Sequence, residues 1–174
     1  MDDDATAGIW ELGIPQATYF ENNQAQPGSD ISEDGQNCFI TGASTSPGSV
    51  GYDDVDGGKT TLLSPLFDLS NYDEFLISYW RWYTNNVGDN PGTDHFYVDL
   101  TNDNGENWFS LEYTNQSQPE WIKKQFLLSE LGLDISNGLI QFRFIAEDIF
   151  NNGDSGTGGS IIEAAIDDFK IITF

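Results

Sequence analysis

The residues best equipped for chemistry in this chain are its carboxylates. Asp54-Val55-Asp56-Gly57-Gly58 sets two of them two residues apart, ahead of glycines that permit a sharp turn. Ca²⁺ is a hard cation that gathers about six to eight oxygen ligands, so this cluster alone does not complete a site. Glu11, Asp94, Asp167 and Asp168 are the candidates for completing one across the fold. The Asp167-Asp168 pair stands between Ala165-Ile166 and the apolar positions Phe169 and Ile171, so one of the two is expected to turn toward the core edge. A carboxylate there needs either a cation or hydrogen-bonding partners, and both readings stay open.

Signals for catalysis are weak. His95 is the single histidine, which leaves no zinc cluster and no HExxH. Gly153-Asp154-Ser155-Gly156 has the look of a serine-nucleophile loop, but the residues around it support no triad. Carboxylate pairs suited to glycoside hydrolysis are so abundant that no chosen pair carries meaning. Cys38 lies in the apolar run Cys38-Phe39-Ile40, reads as a small core residue, and as the only cysteine forms no intrachain disulfide. The chain is expected to be non-catalytic.

A second set of polar residues emerges from strand alternation, in which successive side chains point to opposite faces. Over Phe75–Tyr83, Leu76, Ser78, Trp80 and Trp82 share one face, and Ile77, Tyr79, Arg81 and Tyr83 the other. Phe96, Val98 and Leu100 alternate with His95, Tyr97 and Asp99, and Ile140, Phe142 and Phe144 alternate with Gln141, Arg143 and Ile145. If these strands share a sheet, Tyr79, Arg81, Tyr83, His95, Tyr97, Asp99, Gln141 and Arg143 form one outward patch. Aromatic rings beside planar hydrogen-bonding groups suit sugar rings and peptide carboxylates. The alternative is an ordinary solvated face with Arg–Asp pairs.

The elements that must position these groups are short and numerous. Strands are expected around Ile9–Leu12, Cys38–Thr41, Thr60–Leu63, Phe75–Tyr83, His95–Thr101, Trp108–Tyr113, Trp121–Leu128, Leu139–Ala146 and within Ile161–Phe174. A tight turn at Asp103-Asn104-Gly105 makes a hairpin. Residues 21–37 and 42–58 read as long loops, and at most one helical turn is expected near Ser129–Leu133. Eight or nine strands without βαβ alternation give an all-β fold, a two-sheet antiparallel β-sandwich. Residues 1–8 are expected to be a flexible N-terminal segment and 9–174 one domain.

Charge narrows the partners. With 29 acidic and 6 basic residues the net charge is -23, a field that repels nucleic acid and anionic membranes. No apolar stretch approaches a membrane span, so no membrane insertion is expected. Met1 followed by Asp2-Asp3-Asp4 is neither signal nor transit peptide, and the chain reads as excised from a longer precursor with Met1 added for expression.

Thr101-Asn102-Asp103-Asn104-Gly105-Glu106-Asn107-Trp108 resembles the Asp box, a hairpin motif without catalytic meaning. Taken in order with Trp10-Glu11-Leu12-Gly13, Asn37–Gly42, Asp54–Gly58, Thr60–Pro65, Ile77–Tyr83, Phe142–Ala146 and Ser160–Phe169, it makes the chain similar to the MAM-like jelly-roll domains of secreted bacterial proteins. Those accompany zinc carboxypeptidases, other metallopeptidases and cell-surface proteins. The resemblance implies a jelly roll, a secreted or cell-surface location, and a structural Ca²⁺ near the first and last strands with Glu11, Asp54, Asp56 and Asp167 as ligands. It implies that this cation takes the place of the disulfides found in animal MAM domains. It further implies an accessory or adhesion module of a larger hydrolase, with a parent catalytic domain and an extracellular glycan or protein as partners. Related jelly rolls include carbohydrate-binding modules, which makes sugar binding through the Tyr/Arg face the alternative.

Overall fold

The computed structural model describes residues 2–43, 50–133, 138–149 and 160–174. Gly153-Asp154-Ser155-Gly156 lies outside these described residues. The strands in chain order are β1 (Trp10–Gly13), β2 (Tyr19–Phe20), β3 (Asn23–Gln24), β4 (Cys38–Thr41), β5 (Gly58–Leu63), β6 (Phe67–Asp68), β7 (Phe75–Gly88), β8 (Phe96–Thr101), β9 (Phe109–Thr114), β10 (Gln118–Leu127), β11 (Leu139–Asp148) and β12 (Ser160–Thr173). A single helical turn, α1 (Leu128–Leu131), follows β10.

Two antiparallel sheets face each other. One runs β1-β4-β12-β7-β10; the other runs β5-β11-β8-β9, with β6 also paired to β11. From β4 onward the chain passes back and forth between the sheets, which is a jelly roll. Phe96, Val98 and Leu100 of β8 and Ile140, Phe142 and Phe144 of β11 point into the sandwich, as their alternation predicts. They meet Phe75, Ile77, Tyr79 and Tyr83 of β7 and Ile162, Ala164 and Ile166 of β12. Tyr79 packs edge-on to Phe144 at 5.4 Å, and Phe142 to Phe169 at 5.0 Å. Each aromatic side chain sealed here contributes about 1.5–3 kcal/mol through area removed from water.

The expected face of β7 is inverted. Tyr79, Arg81 and Tyr83 are buried between the sheets, so they do not line an outward patch. They also belong to a different sheet from His95, Tyr97, Asp99, Gln141 and Arg143. Arg81 tolerates the interior because its Nε lies 3.0 Å from Glu112 Oε1 and its Nη2 donates to Gln118 Oε1 at 2.6 Å. Lys124 Nζ reaches the same Glu112 oxygen at 2.9 Å, and the Tyr79 hydroxyl donates to Glu112 Oε2 at 3.0 Å.

The outer face of β7 is then covered by the segment before β4. Trp82 Nε1 donates to the Ala25 carbonyl at 2.6 Å, and Trp82 packs with Cys38, Ile40, Ala165 and Trp121. Trp121 Nε1 donates to Ser29 O at 3.0 Å. Residues 4–7, expected to be flexible, lie along the start of β5: the Asp4 and Ala5 amides donate to Lys59 O, and the Thr6 amide to Asp56 O.

Candidate functional site

The outer face of the β5-β11-β8-β9 sheet collects the side chains most suited to recognition. Register fixes them in rows: Ile145 beside Tyr97 beside Tyr113, and Arg143 beside Asp99 beside Ser110. The Asp-box turn sets the pairing of β8 with β9. Asp103 accepts from the Asn107 amide at 2.8 Å and from its side-chain nitrogen at 2.7 Å, bonds that hold the Asp103 carboxyl below the usual range. Asn104 and Gly105 take positive φ there, 62° and 88°.

His95, Tyr97 and Tyr113 form a continuous aromatic stack. The His95 and Tyr113 centroids are 4.4 Å apart with planes 18° from parallel, and Tyr97 lies 5.0 Å from Tyr113. Tyr113 remains 61% exposed. Behind the stack the Tyr97 hydroxyl donates to Glu147 Oε1, and His95 Nδ1 lies 3.6 Å from the same oxygen. Burial raises the Glu147 carboxyl above its ordinary value. Beside the stack Arg143 donates to Asp99 Oδ2 from Nε at 2.8 Å and reaches it with Nη2 at 2.7 Å, while its guanidinium sits 4.2 Å from the Trp108 ring centroid. Gln141 is turned aside and donates to Ser64 O at 2.9 Å.

Of the predicted patch, His95, Tyr97, Asp99 and Arg143 therefore come together. Tyr113, Trp108 and Glu147 belong with them and were missed by the sequence reading. The signal for Tyr113 was available: closing the hairpin at Asp103-Asn104-Gly105 lays it opposite Tyr97.

The predicted metal ligands fall into three places. Asp54 and Asp56 are buried with Asp53 and Asp148 at the end of the sandwich where residues 6–8 cross. Here Gly8 is required, since φ is +63° and a Cβ would stand 2.4 Å from Asp54 O. Asp54 Oδ1 is buried without a hydrogen-bond partner. Burial first, then Asp56, with Asp148 and Asp53 adding, pushes the Asp54 carboxyl up to about 8. Glu11 is exposed on β1 and opens onto a cleft of about 470 Å³ whose wall includes Asp53. Nearby Glu163, fully buried, accepts from Thr18, Gln26 and Thr41 and is raised well above its ordinary value by burial. These carboxylates feel each other's charge, but among the described residues no three His, Cys, Asp or Glu side chains are arranged as a ready-made metal cage.

Asp94 lies elsewhere, accepting from the Ile149 amide at 2.8 Å, Thr93 Oγ1 at 2.8 Å and Ser160 Oγ at 3.2 Å. Asp167 and Asp168 form the third place, where neither turns into the core. A bulge between Asp167 and Lys170, with Asp168 at φ 51°, keeps both carboxylates on the outer face while Phe169 enters the core. Asp167 accepts from the Ile31 amide at 3.0 Å and from Ser32 Oγ, and Asp168 pairs with Lys170 at 3.0 Å.

No family model matches the chain, and no curated protein matches it. Among solved structures the chain is similar to the CBM22-2 xylan-binding domain of Paenibacillus barcinonensis Xyn10C, at 15% identity over 99% of this chain and 96% of that one, with a TM-score of 0.43. It is similar also to the Clostridium thermocellum xylanase 10B CBM22-1–GH10 modules complexed with xylohexaose, at 12% identity over 100% of this chain and 29% of that one, TM-score 0.42. Likeness at this level assigns no ligand to this chain.

Proposed function

We propose that the chain is a non-catalytic carbohydrate-binding module of a larger extracellular protein, and that its sugar platform is the His95–Tyr97–Tyr113 stack with the Arg143–Asp99 pair at its side. The observation that carries this is Tyr113, 61% exposed yet held by His95 at 4.4 Å. An aromatic ring that is both exposed and immobilised offers a hydrophobic plate to the C–H face of a pyranose at little entropic cost. Arg143, its side chain 24% exposed and held by Asp99, offers its remaining N–H donors to the hydroxyls at the pyranose rim. The net charge of -23 favours neutral glycans over uronic or sulfated ones. Titration with the neutral hexasaccharides of xylose, glucose and mannose tests the reading: at least one shifts the Tyr97 and His95 ring resonances of the wild type, and Tyr113→Ala abolishes those shifts. Failure of all three sugars to bind would overturn it.

We propose further that Ca²⁺ supports the fold at Asp54 and Asp56. These, with Asp53 and Asp148, would supply carboxylate oxygens, and Glu11 stands at the mouth of the adjoining cleft. The buried Asp54 oxygen without a donor, among neighbouring carboxylates that raise the Asp54 carboxyl, fits a hard divalent cation. The cation would neutralise charge that burial otherwise penalises; it has no part in sugar chemistry here.

A further inference from the structure

The opposite side of the sandwich, the outer face of the sheet that carries β7, holds an open cleft of about 660 Å³. That lies within the roughly 300–1,000 Å³ typical of small-ligand sites. Trp80 lines it. Ser32, Glu33 and Asp34 form one wall, and Asp168 with Lys170 the other. Trp82, two residues along the same face, is sealed beneath Ala25 and Trp121. Trp80 is only half-buried, because the covering segment rises at Ser32 to become the wall of the cleft. That wall is fixed: Ser32 Oγ bonds to Asp167 at 3.1 Å and to Asp168 at 3.4 Å. The Asp168 side chain is aimed here by the bulge and its left-handed φ of 51°, a conformation that a non-glycine residue adopts at a cost.

We propose that the Trp80 cleft is a second carbohydrate subsite, for a neutral pyranose laid on the indole. The polar lining decides the class of ligand. Lys170 supplies donors, and Asp168, Glu33 and Asp34 supply acceptors. Sugar hydroxyls both give and accept hydrogen bonds and use the two kinds together. An ammonium group only donates, would compete with Lys170 for Asp168, and leaves the lysine without a role. Uronic acids meet three carboxylates and are disfavoured. The cleft and the Tyr113 stack lie on outer faces of different sheets, so this site does not rest on the Tyr113 reading. With both sites filled the module would bridge two sugar chains and gain avidity on a polysaccharide surface.

The test uses the full chain carrying Tyr113→Ala, labelled at the indole nitrogens and titrated with the neutral hexasaccharides of xylose, glucose and mannose. The Trp80 indole resonance is expected to shift saturably with at least one of them. Adding Trp80→Ala is expected to weaken that residual binding by at least about tenfold, while Trp80→Phe keeps most of it. Unchanged melting temperatures of both Trp80 variants show that the fold persists. A Trp80 resonance indifferent to all three sugars overturns the proposal, as does one that moves only with a lysine-rich peptide. Saturable Trp80 shifts in Tyr113→Ala, with the Tyr97 and His95 resonances fixed, support the cleft independently of the stack.

Discussion

Arg81 Nε lies 3.0 Å from Glu112 Oε1 across the interior of the sandwich, with the arginine side chain 1% exposed and the glutamate 7%. The pair joins β7 of one sheet to β9 of the other at the point where apolar packing gives way to polar groups. Removing Glu112 leaves Arg81 charged and buried with Gln118, and removing Arg81 leaves the buried Glu112 with the half-exposed Lys124 as its cation. Glu112→Ala and Arg81→Ala are each expected to destabilise the fold by about 3–5 kcal/mol, whereas the double replacement Arg81→Met with Glu112→Leu costs far less. Urea unfolding of the three proteins measures this. Single variants within about 1 kcal/mol of the wild type would mean that the pair is solvated.

This pair marks where the fold outran the sequence. Alternation along β8 and β11 put Phe96, Val98, Leu100, Ile140, Phe142 and Phe144 on one face, and they fill the core. Along β7 both faces are buried over much of the strand, so period-two patterning has no solvent side to report. A lone arginine then pulled the assignment outward, because its partners Glu112 and Gln118 are 31 and 37 residues away, one on the facing sheet and the other on the neighbouring strand β10. His95, Tyr97, Asp99 and Arg143 were legible because β8 and β11 each have one wet face. The bulge that turns Asp168 outward had no signature, since an inserted residue shifts the register without altering composition.

Exposure and fixation at the sugar platform make separable predictions. Tyr113→Ala removes the ring contacts with His95 and Tyr97 but no core packing, and is expected to cost about 0.5–1.5 kcal/mol. Arg143→Lys retains charge but gives up the two-nitrogen contact to Asp99 and the seat over Trp108. It is expected to weaken glycan binding several-fold with little change in melting temperature. Isothermal titration and thermal unfolding of both variants check this; unaltered affinity in both would move the site elsewhere.

The acidic end of the sandwich predicts an unusual pH response. The Asp54 carboxyl is pushed to about 8 against an ordinary 3.8, so between those values the folded chain retains a proton that the unfolded chain has released. Stability then falls as pH rises through that window in the presence of chelator. Asp54→Asn is expected to flatten the slope. Saturating Ca²⁺ is expected to raise the melting temperature most at the alkaline end, because it binds only the native state. Melting curves identical with Ca²⁺ and with chelator at pH 8 would remove the cation from the account.

Cys38 offers a simple check on the layer that covers β4 and β7. The residue is 1% exposed, and burial, with Asp167 and Asp30 adding, pushes its thiol up to about 12. At pH 8 it holds almost no thiolate, and reaction with a disulfide reagent is expected only at the rate of unfolding. Rapid labelling under native conditions would show that the segment around Ala25 and Ser29 does not cover this face.

The central claim is that the outer face of the β5-β11-β8-β9 sheet receives neutral sugar. Chemical-shift mapping of the aromatic side chains during titration with the hexasaccharides of xylose, glucose and mannose tests it most directly. Saturable shifts at Tyr113, Tyr97 and His95 with at least one sugar, abolished by Tyr113→Ala, are the predicted result. Aromatic resonances of these three residues that stay fixed with every sugar would contradict it.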